Sequence, residues 1–463
     1  MIRLLTITLA CLPAFAQSPE AATVRPMADL GALIDAAEDG QVIDVPAGVY
    51  EGSLEIRRPI TLDGHGHAVL DGLGKGSVVV IYSPGVTVRN MSIRASGSDV
   101  SGEPAGIRAE TGPVVIEHNT FTETLFGIDL RESPGSVVRH NSIIGMDLEP
   151  GRRGDGIRLW WSHGCTIEDN TVRQSRDMVF WYSEDLRISR NTVIDSRYGL
   201  HFMYSHRTVL SENELAHNSV GVYLMYSNGI TLTGNRMSNN RGASGYGIGL
   251  KDCDDITVEG NALLANRVGI YIDNSPSSIG STGLVESNMV AFNEIGLLAT
   301  PNTHDNVVTG NAFIENEEPA ATHGRGQLTN NTFARDGVGN YWSDYTGFDL
   351  DRDGIGDLAH EPQSLFGEML AREPNLRLFV HSPAQQAIEF TARAFPELRP
   401  RATLIDPAPL AVPPEIRIAA PRARGTAMGM AGLASALTIG GLGFVFLLDR
   451  DRGLVRQPQG AAA

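Results

Sequence analysis

The chain has 463 residues, of which 51 are glycine, and a formal net charge of −17 at neutral pH. A chain this acidic is poorly suited to bind phosphate backbones, which argues against nucleic acid as a partner. The length could hold roughly two or three ordinary domains, but a solenoid built from repeats needs no such division.

The first 16 residues have the pattern of an export signal. Arg3 supplies a positive charge, residues 4–15 are mostly apolar, and small residues on both sides of Phe15 allow cleavage after Ala16. This pattern predicts a mature protein outside the cytoplasm. Attachment of a lipid through Cys11 is the alternative, although it leaves a very short apolar segment.

A short amphipathic helix is predicted next, capped by Asp29 and ended by Gly40. Its apolar residues lie at helical spacing: Leu30, Leu33, Ile34 and Ala37. Such a helix would cover the open end of the first coil, as the ends of solenoids require.

Between Asn90 and Asn331 the chain repeats an asparagine, a small or polar residue and an apolar residue, at intervals of 20 to 29 residues. A glycine followed by an apolar residue lies 13 to 15 residues upstream of most of these asparagines, as at Gly156 and Gly199. Two short alternating segments per period, each closed by a turn residue, describe one coil of a parallel β-helix. We therefore predict an all-β solenoid over residues 24–335.

Alternation decides which side chains line the interior of the coils. The first and third residues after each glycine are apolar, as in Leu200 and Phe202, and should point inward. The repeated asparagines are expected to stack as a structural ladder of amides. Cys165 and Cys253 lie four coils apart, roughly 19 Å at about 4.8 Å per strand, which is too far for a disulfide.

Four consecutive central coils carry unusual residues at positions that should face outward. The candidate face for partner docking or copper transfer consists of His201, Met203, Met225, Trp160, Trp181, Tyr204 and His206. One explanation is an apolar patch covered by another protein or segment. The other is a soft-metal surface, since thioethers with imidazole suit Cu(I). Both can hold, because a site that transfers a metal must also dock its partner.

Two coils carry insertions, one between Asn141 and Gly156 and one between Asn235 and Gly247. The repeat length requires both insertions to bulge from the same edge of the solenoid. Solenoids commonly build a working face from such insertions.

After the coils, residues 336–395 comprise an acidic loop and a helical cap, with helical spacing over residues 362–395. Asp349, Asp351, Asp353 and Asp357 occupy the odd-numbered positions that supply oxygen ligands in a calcium-binding loop. His360 stands where the bidentate glutamate of an EF-hand would be. The loop therefore predicts either a structural Ca²⁺ site or an acidic turn without an ion.

The C-terminal region has the composition of a linker followed by a membrane segment. Residues 396–424 hold seven prolines and are predicted to form an extended linker. Residues 425–448 carry no charge and as a helix would span roughly 36 Å, enough for a hydrocarbon core of about 30 Å. We expect this helix to anchor the protein in the inner membrane, with residues 449–463 as a tail. A buried hairpin or a disordered tail is the alternative.

Four segments carry a resemblance to a known family: residues 43–50, 199–206, 222–227 and 339–357, the second reading Gly-Leu-His-Phe-Met-Tyr-Ser-His. With these segments the chain resembles the NosD family of periplasmic maturation proteins of nitrous oxide reductase, over roughly residues 24–395. The resemblance implies a right-handed, pectate-lyase-like β-helix that is not itself a catalyst. It also implies transient contact with copper. The implied partners are the permease and ATPase of an ABC transporter, a copper chaperone lipoprotein, and the reductase whose copper centre is assembled.

The rival class is a carbohydrate lyase, hydrolase or epimerase on the same scaffold, or a carbohydrate-binding adhesin. Such enzymes need an exposed acid–base constellation along one face, often with Ca²⁺. An epimerase-like pattern would place proline and histidine directly after an acidic residue in a Tyr-Gly strand, whereas Tyr198 and Gly199 lead into Leu-His-Phe. A charged cleft could still form from Asp155, Arg158, Asp177 and Glu184.

Overall fold

The computed structural model describes residues 23–416 except 325, 381 and 399, and parallel β-strands dominate this part of the chain. The chain winds through about 13 right-handed coils. Each central coil contributes three short strands, and each strand pairs in parallel with the equivalent strand of the next coil. The predicted parallel β-helix is therefore confirmed. We name the three stacks of strands face 1, face 2 and face 3 in their order along one coil.

The three faces contain the following strands. Face 1 consists of Leu54–Ile56, Val79–Ile81, Ala105–Ala109, Phe126–Arg131, Ile157–Trp160, Asp177–Trp181, Tyr198–Met203, Val220–Met225, Tyr246–Lys251, Val268–Asp273, Ile295–Ala299 and Glu318–Thr322. Face 2 consists of Val42–Asp44, Val115–Glu117, Val137–Arg139, Thr166–Glu168, Arg187–Ser189, Val209–Ser211, Thr231–Thr233, Thr257–Glu259, Gly283–Glu286 and Asn306–Thr309. Face 3 consists of Val24–Pro26, Gly48–Glu51, Thr120–Thr124, Ser142–Gly145, Thr171–Arg173, Thr192–Ile194, Glu214–Ala216, Arg236–Ser238, Ala262–Leu264, Met289–Ala291, Ala312–Ile314 and Tyr341–Trp342. Two longer strands bend and pair on both face 2 and face 3: Thr61–Asp71 and Thr87–Arg94.

The interior of the coils is filled by the apolar side chains that alternation predicts. Leu200 and Phe202 are fully buried, as are Ile157 and Leu159 in a coil below. Rings of neighbouring coils stack directly, with the centroids of Phe180 and Phe202 4.7 Å apart. Burying one such side chain contributes about 1.5–3 kcal/mol. Apolar burial therefore fixes which side of each strand faces the solvent.

The predicted asparagine ladder is present at the corner between face 2 and face 3. Each amide nitrogen donates to the amide oxygen of the next coil, over 2.9–3.2 Å, in the order Asn119, Asn141, Asn170, Asn191, Asn213, Asn235, Asn261, Asn288, Asn311 and Asn340. Two asparagines assigned to the repeat are not in this column, because Asn90 donates to Asp63 and Asn331 accepts from Asn306. A second column, which the sequence analysis missed, ends the face 3 strands at Asn218, Asn240, Asn266, Asn293 and Asn316.

A helix at Met27–Ala36 covers the first coil, as predicted, and buries Met27, Leu30 and Ile34. The predicted cap and end are wrong. The N-cap position is Pro26, which makes no side-chain hydrogen bond, and Asp29 lies inside the first turn. The helix ends before Gly40 because Ala37 already adopts an extended conformation.

The C-terminal cap differs from its prediction in two respects. The helical region is divided into helices Leu365–Arg372 and Pro383–Ala394, with 3₁₀ turns at Pro374–Phe379 and Pro396–Leu398. The division follows from Pro374, which disfavours helical geometry at the residue before it. The start of the predicted linker packs against the last coils instead of extending freely. Asp406 is fully buried there. Its carboxylate is satisfied by hydrogen bonds that it accepts from the Asn340 amide and the Trp342 indole.

The predicted export signal at residues 1–16 and the predicted membrane segment at residues 425–448 lie outside the described residues. Within residues 23–416, no helix is long and apolar enough to cross a membrane. Cys165 and Cys253 are buried and unpaired, in agreement with their predicted separation.

Candidate functional site

The unusual outward residues lie in one row along face 1. Trp160 pairs with Trp181, Trp181 with Met203, and Met203 with Met225, so that adjacent members are one strand spacing apart, about 4.8 Å. Arg131 precedes this row and Lys251 follows it in the same register. Charged residues therefore bound the row on both sides, and the row is confined to four coils.

A column of stacked rings runs beside this row, formed by Trp161, Tyr182, Tyr204 and Tyr226. Their centroids are 5.0, 5.3 and 4.9 Å apart and the planes differ by 9°, 12° and 15°. Each of these residues has a φ of 51° or 52°, because the chain turns sharply there from face 1 towards face 2. A left-handed conformation is unfavourable for bulky residues. Stacking of neighbouring rings, worth about 0.5–1.5 kcal/mol per pair, offsets part of this cost.

The row and the column together form an exposed apolar surface, which we call the docking face. Trp160 is 38% exposed, Trp161 48% and Tyr204 42%, whereas Trp181, Met203 and Met225 are partly buried. Large apolar patches on soluble proteins commonly mark interaction sites. The thioethers of the two methionines lie on the same side as the rings and add the soft donors that Cu(I) prefers.

His201 lies on the outer side of its strand, yet it is only 5% exposed, unlike the accessible imidazole that alternation suggests. The rings of Trp181 and Tyr198 meet its ring edge-on, with centroids 5.6 and 4.9 Å away. Its Nδ1 lies 3.2 Å from Oδ2 of Asp177. Because a carboxylate only accepts, Nδ1 carries a proton, and in the neutral form of the ring the lone pair is on Nε2.

Two buried nitrogens at this point lack hydrogen-bond partners among the described residues, namely Nε2 of His201 and Nε1 of Trp181. Leaving such a group unsatisfied costs about 1–3 kcal/mol. Burial raises the pKa of Asp177, but hydrogen bonds from His201 and Arg197 outweigh it, and the pKa lies below its usual value. The ionised carboxylate therefore orients the imidazole, in the manner of carboxylates that support metal-binding histidines. Asp177 replaces the glycine of other coils, which is the signal in the sequence that could have identified it.

His206 differs from His201 in the role of its Nδ1, which accepts a hydrogen bond instead of donating one. Its Nδ1 accepts a hydrogen bond of 3.1 Å from the backbone N–H of Asn228, so that Nε2 carries the proton in the neutral ring. His163 is held in the same way by the backbone of Glu184, at 3.1 Å. The structure thus places His206 at the edge of the docking face as a hydrogen-bond donor, while His201 offers the free lone pair.

The charged residues of the rival interpretation are engaged in ion pairs. Burial raises the pKa of Asp155 to about 6, although Arg176, whose Nη2 lies 2.8 Å from Oδ2 of Asp155, acts in the opposite direction. Arg158 pairs with Asp129 and Glu103. Asp177 pairs with Arg197, and Glu184 pairs with Arg207. A general acid or base must reach a substrate. Each of these four groups is therefore held by an oppositely charged partner.

The acidic loop brings three of its four predicted calcium ligands together. Carboxylate oxygens of Asp349, Asp351 and Asp353 lie within 4.8 Å of one another. Asp357 is not in this group, because its Oδ2 accepts a hydrogen bond of 2.7 Å from the backbone of Leu350 and closes the loop. His360, at the position of the EF-hand glutamate, is buried against Trp342 with ring centroids 5.1 Å apart.

The chain is similar in sequence to known proteins. A family model described as "Periplasmic copper-binding protein (NosD)" matches residues 145–347, and one described as "Right handed beta helix region" matches residues 72–195. A relative from Pseudomonas aeruginosa, named "Probable ABC transporter binding protein NosD", is 34% identical over 368 residues, which are 76% of this chain and 84% of the relative. A relative of the same name from Stutzerimonas stutzeri is 30% identical over 380 residues, 77% and 83% of the two chains.

Solved structures of carbohydrate-active proteins show a more distant likeness. The A-module of mannuronan C-5 epimerase AlgE6 from Azotobacter vinelandii has a TM-score of 0.49 and 15% identity, covering 67% of this chain and 98% of its own. The alginate lyase AlyF-OU02 has a TM-score of 0.43 and 13% identity, covering 68% and 87%. A likeness of this extent gives no information about activity.

Proposed function

The chain belongs to the NosD family, and we propose that it is a periplasmic accessory protein in the assembly of the copper centre of nitrous oxide reductase. In this role it is not a catalyst. It presents copper or the copper chaperone to the reductase through the docking face. The observation that carries the proposal is the row of Trp160, Trp181, Met203 and Met225, which occupies one outward register position in four consecutive coils.

Copper is the cargo in this proposal, and the donor set suits Cu(I). Met203 and Met225 supply thioethers in register on adjacent strands. His201 supplies an imidazole whose Nε2 has no partner within residues 23–416. The ring of Trp181 lies edge-on to that imidazole, which is only 5% exposed, and we infer that a shift of the indole admits a ligand to Nε2. We infer that partner docking moves this ring and exposes the imidazole only when a recipient is present.

The proposed partners are the permease and ATPase of an ABC transporter, a copper chaperone lipoprotein and the reductase itself. The names of the two relatives include an ABC transporter, which supports the first of these. We further propose that residues 425–448 anchor the chain in the inner membrane. Deleting these residues should release the protein from washed membranes, whereas continued membrane association would contradict the anchor.

Replacing Met203 and Met225 with serine tests the copper role. Both side chains are only partly buried, so that folding should be retained. Reductase purified from cells with this variant should lack its catalytic copper centre, as measured by copper content and visible absorption. The matched control replaces Met289 and Met369, which are partly exposed elsewhere on the chain, and should leave the reductase fully metallated. Full metallation with the Met203→Ser/Met225→Ser variant would refute the proposal.

A further inference from the structure

A second surface lies at the corner where face 3 passes to face 1. The two insertions that the repeat spacing indicates bulge at this corner, as residues 146–155 and residues 239–245. They border a cleft of about 530 Å³, whose floor includes Ser196 and Ser219. The cleft is at the beginning of the face 1 strands, whereas the docking face is at their end. None of the residues of the docking face lines the cleft.

The cleft is lined by arginines, although the chain as a whole is acidic. Arg153, Arg197, Arg241 and His217 contribute to its walls, and Asp195 is the one carboxylate among the lining residues. Asp195 is itself compensated, since its Oδ2 lies 3.6 Å from Nη2 of Arg173. Arg197 is compensated by Asp177. The remaining charge of the cleft therefore comes from two residues, Arg153 and Arg241.

Arg153 and Arg241 form no ion pair with any described residue. Nε of Arg153 donates to the carbonyl of Leu148 over 2.8 Å, and its Nη1 donates to the carbonyl of Asp195 over 3.1 Å. Nε of Arg241 donates to the carbonyl of Ala265 over 2.9 Å. A guanidinium has five N–H donors, so that most donors of both groups remain unused. Carbonyl oxygens orient these arginines without neutralising them, which leaves positive charge directed at the cleft.

The chemistry of the cleft selects the kind of ligand. Guanidinium groups bind carboxylates and phosphates in a bidentate manner. The lining residues include no phenylalanine, tyrosine or tryptophan on which a base could stack, and the net charge of −17 opposes nucleic acid. The two arginines come from coils four strands apart, but the guanidinium of Arg153 reaches the carbonyl of Asp195, which lies two strands, roughly 10 Å, from the coil of Arg241. An extended ligand with several carboxylates matches this separation better than a single small anion.

We propose that this cleft binds an acidic segment of a partner polypeptide, whose aspartate or glutamate carboxylates pair with Arg153 and Arg241. The site is independent of the copper role, because it shares no residue with the docking face. It gives the chain a way to hold an acidic partner that its own negative charge would otherwise repel. Association at this site should weaken as salt screens the charges.

The test uses a fluorescent hexaglutamate peptide and the full-length chain at about 50 mM salt, where screening is modest. In the variant Arg153→Gln/Arg241→Gln we expect the affinity to fall about tenfold, equivalent to about 1.4 kcal/mol. The control Arg57→Gln/Arg335→Gln removes the same charge from two exposed arginines that pair with Glu55 and Glu286. It should change the affinity less than about twofold.

The single variant Arg241→Glu is a second test that should not disturb folding. Arg241 is exposed, and its one side-chain hydrogen bond is donated to a carbonyl. It should also abolish binding while keeping the wild-type melting temperature. Three results would overturn the proposal: no binding of the wild type, an equal loss in the control, or equally tight binding of a hexaglutamine peptide. Complete displacement of the peptide by equimolar inorganic phosphate would likewise overturn it, since a simple anion site would then explain the data.

Discussion

Replacing Asn213 with alanine should destabilise the coil that carries His201 and Met203. Asn213 is 1% exposed. Its amide nitrogen donates to the carbonyl of Ile188 and to Oδ1 of Asn235, both over 2.9 Å. Its Oδ1 accepts from the backbone N–H of Asn191 over 3.0 Å. Alanine keeps the backbone and removes all of these side-chain bonds.

The magnitude follows from what the substitution leaves unpaired. The backbone N–H of Asn191 loses its acceptor in a buried environment, which costs about 1–3 kcal/mol. The two bonds donated by the amide, and the one that its Oδ1 accepts from the side chain of Asn191 over 3.1 Å, contribute about 1 kcal/mol each. The free energy of unfolding should therefore fall by about 4–6 kcal/mol.

Urea unfolding followed by tryptophan fluorescence measures this loss. The control is Asn228→Ala, because Asn228 is exposed and its side chain makes no hydrogen bond with a described residue. It should change the free energy of unfolding by less than about 0.5 kcal/mol. A loss below about 1 kcal/mol for Asn213→Ala, equal to that of the control, would refute the reasoning that the amide column stabilises each coil.

Two further predictions concern the last coil of the solenoid and the acidic loop that follows it. Burial raises the pKa of Glu318 to about 7, although Arg377 lowers it. The folded state then holds the proton more tightly than the unfolded chain, whose pKa is near 4.5, so stability is greatest below that value and falls as the pH rises towards 7. Free energies of unfolding from urea titrations at pH 5 and pH 8 should differ by up to about 3 kcal/mol in the wild type and much less in Glu318→Gln; equal differences would contradict the assignment. For the acidic loop, about 1 mM CaCl₂ should raise the melting temperature by a few degrees through binding to the folded state. Asp351→Asn should lose most of this shift, and an unchanged wild type would disprove the ion site.

The sequence predicts the parts of the fold that depend on periodicity. The inward positions of Leu200 and Phe202 follow from alternation alone, and the asparagine spacing places Asn213 in its ladder. The burial of His201 could not be predicted, since it depends on rings contributed by Trp181 in the preceding coil and Tyr198 at the start of its own strand. Alternation predicts which side of a strand a residue faces, but not how far the neighbouring side chains cover that residue.

Contacts between segments that are distant in the sequence could not be predicted either, because local periodicity carries no information about them. The prolines near Asp406 suggest a freely extended linker. Its carboxylate nevertheless bonds the Trp342 indole, 64 positions earlier, at 2.8 Å. The second asparagine column lies five residues after the first, as at Asn218 after Asn213. This regular offset in the sequence is the signal that predicts a second column.

The stacked rings of the docking face have a consequence for engineering. Backbone hydrogen bonds between coils set the separation of the rings, and the left-handed turn sets their direction. Both properties belong to the scaffold and not to distant parts of the chain. Grafting four dipeptides, at positions 160–161, 181–182, 203–204 and 225–226, onto an unrelated β-helix should therefore reproduce the arrangement of rings and thioethers without redesign of the core.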